Sequence, residues 1–98
     1  MSYRSGRRFE YRVRDIFARS GWVVIRAAAS KPVDLVCLKA GRAVLLECKY
    51  NRRSLPAKDA KRLVSLARRA GAEPVVALAM KRGKPELLSL QTNTPFNP

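Results

Sequence analysis

The stretch "VDLVCLKAGRAVLLECKY", residues 33–50, constrains the fold more than any other part of the chain. Two β-prone apolar runs, 33–38 and 43–50, flank a tight turn at Ala40 and Gly41, so they are expected to pair as an antiparallel hairpin. A register symmetric about that turn sets Leu38 opposite Ala43, Val36 opposite Leu45 and Asp34 opposite Glu47. Directly opposed residues share a face, with Cβ atoms about 4.5 to 5.5 Å apart, and the strand period of two brings Lys49 to that face as well. Val33, Leu35, Cys37, Val44, Leu46 and Cys48 form the other, apolar face. Cys37 then opposes Val44 and Cys48 opposes Val33, too far apart for a disulfide.

Two facing carboxylates repel by roughly 1 to 4 kcal/mol, depending on the local dielectric. A half-buried pair is relieved by a shared proton, a basic neighbour or a divalent cation. Lys49 neutralises only one of the two, and a hard cation such as Mg2+, which takes one or two carboxylates with water and phosphate oxygens, answers the rest. A salt-bridged solvent face is the plain alternative. Against it, Val36, Leu38, Ala43 and Leu45 share the face, so the charges occupy one end of an otherwise buried layer, as a cleft at the sheet's edge would have them. With no histidine and two cysteines the usual zinc sites are excluded. Glu10, at the border of the buried face of a first helix, is a candidate third carboxylate; its alternative is a surface pair with Arg14 at i+4.

That first helix is expected over 7–20, where Phe9, Val13, Ile16 and Phe17 recur with helical spacing, and Gly21 ends it. A strand follows at 22–27, then the loop "AASKP" and the hairpin. Ser54 is the expected N-cap of a second helix that has Pro56 in its first turn and runs to Ala70, with Ala60, Leu63, Val64, Ala67 and Ala70 on one face and Gly71 as its stop. The wholly apolar run 74–80 reads as the parallel partner strand of a βαβ unit. A last strand is expected at 86–90, and residues 91–98 read as a flexible tail. The order predicts one α/β domain over 1–98, a central mixed β-sheet flanked by α-helices. No apolar run approaches the roughly 18 residues of a membrane span, and the basic N-terminus lacks a secretory h-region, so a cytoplasmic protein with reduced cysteines is expected.

The chain carries 21 Lys and Arg against 7 Asp and Glu, a net charge of +14, spread along its whole length. A domain this small needs no such charge for solubility and is self-repelling without a polyanion, which makes nucleic acid the expected partner. Charge alone does not separate a binding module from an enzyme.

An Asp, a short hairpin and Glu-x-Lys on the next strand, after an N-terminal helix bearing a Glu, resembles the PD-(D/E)xK nucleases of the restriction-endonuclease-like fold. The stretches "RSGRRFE", "VVIRAAASKPVDLV", "LLECK" and "RLVSLARRAGAEPVVAL" are similar, in order and spacing, to the archaeal Holliday junction resolvase family. The resemblance implies a homodimeric, nucleoid-associated enzyme of recombination and repair that cleaves four-way junction DNA with Mg2+, or Mn2+ in its place, and without a nucleotide cofactor. It implies Glu10, Asp34 and Glu47 as metal ligands, and Ser30, Asp34, Glu47 and Lys49 as the catalytic set. Arg4, Arg7, Arg8, Arg26, Lys31, Arg52 and Arg53 are the corresponding DNA-binding candidates. The chain departs from the family at Tyr11, where Arg is common, at "AAA" before Ser30, where a glycine is usual, and at Leu66 and Ala70, where larger aromatics are expected. A related nuclease of repair or restriction type and a non-catalytic basic DNA-binding module are the alternatives.

Overall fold

The computed structural model describes residues 3–51, 53 and 55–98, with side chains from Gly6 onward. Ser54, the expected N-cap, and Arg52 lie outside the described residues, as does the side chain of Arg4. The elements are α1 (Tyr3–Arg19), β1 (Val23–Arg26), β2 (Leu35–Lys39), β3 (Arg42–Lys49), α2 (Ala57–Ala70), β4 (Glu73–Leu78), β5 (Glu86–Ser89) and β6 (Thr94–Pro95). The six strands form one sheet in chain order. Its neighbours are antiparallel except β3 and β4, which run parallel and are joined by the α2 crossover. α1 starts earlier than its apolar spacing predicts, because a polar first turn presents no periodic face to read.

The hairpin forms in the expected register, with Leu38 paired to Ala43 and Val36 to Leu45. Its loop is two residues, Ala40 and Gly41, with φ of 48° and 79°. Positive φ at both positions is the geometry whose twist matches the flanking strands, and glycine supplies the second at no steric cost.

The face assignment fails at one residue. Strict alternation puts Val33 beside Leu35, yet it packs with Leu45, Leu63 and Val76, whereas Leu35 packs with Phe17 and Leu46. Residues two apart in a regular strand share a face, so the backbone turns at Asp34 and β2 begins only at Leu35. The Asp34 carbonyl still accepts the Ala27 N–H at 3.1 Å, while its side chain Oδ2 accepts the Cys48 N–H at 2.7 Å. A side chain has replaced a rung of the ladder.

Alternation along β3 and β4 divides the core. α1 lays Phe9, Val13 and Phe17 on Leu35, Cys37, Val44, Leu46, Val75 and Ala77. α2 lays Leu63 and Ala67 on Leu45, Val76 and Leu78 across the sheet. Gly71, with φ 68°, ends α2, but Pro56 stands just before the helix in extended backbone and Ala70 is exposed, both differing from expectation.

The segment 91–98 also differs from the expected tail. β6 pairs with β5, Phe96 stacks on Phe17 at 5.9 Å between ring centroids, and the Trp22 indole donates to the Pro98 carbonyl at 3.1 Å. The polar neighbours of Phe96 hid an aromatic anchor. Among the described residues no helix is long and apolar enough to cross a membrane.

Candidate active site

Asp34, Glu47 and Lys49 meet where β2 leaves the sheet. The bend that turns Val33 across the sheet also frees the Asp34 carboxylate to cap β3 at Cys48. Glu47 lies on β3 one residue beyond its pairing with β2, beside Val76 of β4, and is only 8% exposed. Burial, then the charge of Asp34 and a side-chain hydrogen bond with it, push the Glu47 carboxyl from 4.5 up to about 7, although Lys49 and Arg62 pull the other way. Two of the three remedies for a crowded carboxylate pair are therefore present, retained protons and basic neighbours.

Lys49 is paired at 4.0 Å with Asp59, and Glu47 Oε1 accepts from Arg62 Nη2 at 3.1 Å. Arg62 Nη1 also donates to the Pro32 carbonyl at 3.0 Å. Asp59 and Arg62 stand one turn apart on α2, so the helix offers an acid to the lysine and a base to the glutamate. Neither residue stands out in the sequence. The signal lies in the topology and not in the local pattern: a crossover helix covers the strand it leaves, which brings polar residues flanking Leu63 to the charges of β3.

Glu10 is also buried, at 8% exposed, and it pairs with Arg26 rather than Arg14, Oε1 accepting from Nε at 2.6 Å. That bond is the main reason the Arg26 guanidinium is held still more firmly protonated than usual. Tyr11 flanks it, with its ring 4.8 Å from Arg26 and 4.6 Å from Arg14.

Two adjoining cavities share Ser30, Asp34 and Cys48. One, of about 400 Å³, is lined also by Glu10, Arg26 and Arg7; the other, of about 750 Å³, by Lys31, Glu47, Lys49 and Arg62. Asp34 and Glu47 are thus brought together, while Glu10 flanks Asp34 from the neighbouring cavity. Among the described residues no three Asp, Glu, His or Cys side chains converge as a ligand set.

Ser30 is exposed at the shared rim, on a short 3-10 turn in which Ala29 and Ser30 have φ of 56° and 52°. Successive left-handed residues without glycine are costly, and such strain is characteristic of functional loops. Arg8, Lys31 and Arg53 are exposed, whereas Arg12 is tied to the Gly83 carbonyl at 2.8 Å. Cys37 and Cys48 are free thiols. Burial pushes Cys37 up to about 12 and Cys48 well above its ordinary value, so both thiols resist ionisation.

The family model described as archaeal Holliday junction resolvase (hjc) matches residues 1–94. The crossover junction endodeoxyribonuclease Hjc of Methanocaldococcus jannaschii is 32% identical over 79 residues, which are 78% of this chain and 59% of that protein. The chain thus spans less than two thirds of the curated relative's length. The solved structure of Archaeoglobus fulgidus Hjc, described as a Holliday junction resolvase from an archaeal hyperthermophile, matches with a TM-score of 0.75 and 27% identity, covering 89% of this chain and 74% of that one. The mixed sheet between two helices is accordingly a nuclease-like α/β fold, and the chain belongs to the archaeal Holliday junction resolvase family.

Proposed function

We propose that the protein is a structure-selective endonuclease that hydrolyses paired phosphodiester bonds in four-way DNA junctions, as a homodimer, with Mg2+ or in its place Mn2+, and with no nucleotide cofactor. The observation that carries this reading is the buried Asp34 and Glu47 pair with Lys49 two residues further along the same strand. The names of its relatives supply the junction as substrate. On this reading it works at the nucleoid in the cytoplasm.

The donor set suits a hard divalent cation: Asp34 and Glu47 offer oxygen ligands alone, and burial, with the charge of Asp34 second to it, raises the Glu47 carboxyl to about 7, so that a cation bound there would compete with a proton. Glu10 adjoins them from the next cavity as a further ligand. When bound, the cation acidifies water and draws charge from a phosphate oxygen.

The remaining work falls to side chains. The Cys48 N–H fixes Asp34 against β3. Lys49, held by Asp59 and a quarter exposed, presents a fixed positive charge where negative charge develops on the phosphate. Ser30, at the rim common to both cavities, hydrogen-bonds a phosphate oxygen as the strand enters. Arg7, Arg8, Arg26, Lys31 and Arg53, with Arg4 and Arg52, track the duplex backbones and orient them.

The test is a labelled four-way junction, the matched linear duplex and its single strands, each with Mg2+ or with EDTA. Symmetric nicking of the junction alone, dependent on Mg2+ and lost in Asp34→Asn, is expected. Equal cutting of linear duplex makes the protein a nuclease of another type, and tight binding with no cleavage makes it a binding module.

A further inference from the structure

Both flanking carboxylates of the site carry an arginine. Glu10 takes Arg26 at 2.6 Å and Glu47 takes Arg62 at 3.1 Å. The two acids are each 10% exposed in their side chains, whereas the arginines are 38% and 51% exposed. The pairs are asymmetric in solvent access, with the anion buried and the cation on the solvent side.

Arg62 is the looser of the two. It holds Glu47 through an Nη2 bond, and its Nη1 reaches the Pro32 carbonyl. Water replaces either at little cost. A divalent cation on Glu47 competes for the same oxygen, and it repels the guanidinium besides. Beside Arg62 lies the cavity of about 750 Å³ that also holds Ser30, Lys31 and Lys49. Asp34 and Glu47 line the same space, and with a divalent cation offsetting these two acids, three cationic side chains and a hydroxyl suit a phosphodiester; guanidinium is the side chain whose planar fork matches phosphate oxygens.

We infer that Arg62 is an exchangeable counter-ion and positioning residue of this site: it holds Glu47 while no divalent cation is bound, yields the carboxylate on cation binding, and turns its guanidinium to a backbone phosphate of the DNA strand in the adjoining cavity. This rests on the proposed nuclease reading. It also gives α2 a direct part in the chemistry. The same turn of the helix keeps Lys49 in place through Asp59, so one of its two charges is a fixed support and the other is exchanged.

The experiment uses the full chain without DNA and Mn2+ as probe, with free Mn2+ measured by electron paramagnetic resonance. Arg62→Ala is expected to bind Mn2+ about three- to tenfold more tightly than the unsubstituted protein, since a competing positive charge is gone. At saturating Mn2+ it nicks junction DNA at least about tenfold more slowly, since a phosphate contact made as the strand is cut is lost. Arg62→Lys lies between the two in both measurements.

A residue that merely props Glu47 predicts the reverse for the metal, and weaker or unchanged Mn2+ binding in Arg62→Ala overturns the inference. A second measurement uses the unsubstituted protein, with Arg62→Lys needed only for assignment. Adding Mg2+ should speed the rotation of the Arg62 guanidinium in nitrogen NMR spectra, and an unchanged rotation overturns it as well. If the unsubstituted protein binds no Mn2+, the nuclease reading falls and takes this inference with it. If it binds Mn2+ and nicks junctions while Arg62→Ala fails as described, only the inference falls.

Discussion

Glu47 ties the pH response of the cation-free protein to its site. Its carboxyl is raised from 4.5 to about 7, first by burial and then by Asp34. A raised folded-state value means that the folded protein holds the proton more tightly than the unfolded chain does. The stabilisation is complete below pH 4.5 and is lost as pH rises through 7. Each tenfold difference in proton affinity between the two states is worth about 1.4 kcal/mol, so the loss across that window is on the order of 3 kcal/mol. Urea midpoints measured with EDTA should fall over this range in the unsubstituted protein and stay nearly level in Glu47→Gln. Ala29 gives a second prediction of this kind. With φ at 56° it occupies backbone that glycine adopts without strain. Ala29→Gly should stabilise the protein by about 0.5 to 1 kcal/mol, the relieved strain exceeding the added freedom of the unfolded chain. A lower denaturant midpoint in that variant contradicts the assignment of strain.

Among the elements, β6 and the residues after it close the apolar layer that α1 opens. Phe96 stacks on Phe17 and tilts against Trp22, and the Arg42 guanidinium lies 5.7 Å from the Phe96 ring. Phe96→Ala should cost about 2 to 3 kcal/mol, somewhat below a fully buried phenylalanine, and it should leave cation binding at Glu47 unchanged because the stack lies beside Arg42, at the other end of β3 from Glu47. Calorimetric unfolding and Mn2+ titration of the same sample check both halves. The hairpin and α1 were legible because their signals are local: a two-residue turn fixes a register, and helical spacing fixes a face. Residues 91–98 were not, since one aromatic among polar residues has no period. Val33 was misplaced for a related reason. Strict alternation cannot register a bend, and this bend exists because the Asp34 side chain does a backbone's work at Cys48. The acid that made the hairpin noticeable is the one that breaks it. Asp59 and Arg62 needed the packing of α2 on β3, which local patterns do not contain.

For the molecule as a whole, the acids are largely spoken for. Glu10, Asp15, Glu47, Asp59 and Glu73 each hold an arginine or lysine. Against 7 acidic residues stand 21 basic ones, so the chain holds a threefold excess of positive over negative side chains. Binding driven by that excess releases counter-ions, and a site touching about six phosphates loses on the order of a thousandfold in affinity between 50 and 200 mM salt. Charge of this kind brings DNA to the surface without choosing its shape. On the proposed reading, selectivity for a junction rests on geometry, and two sites in the proposed homodimer, related by a twofold axis, would meet the near-twofold symmetry of four joined arms. Incision should then be coupled. A supercoiled plasmid that extrudes a cruciform should pass directly to linear DNA when both sites act within the lifetime of one complex, because the first nick otherwise releases the supercoiling and reabsorbs the cruciform. Raising salt should slow the overall reaction without changing the linear fraction among early products, provided dissociation remains slower than the second cut. Accumulation of nicked circles at low salt, together with a monomer on gel filtration, would show that the sites act alone.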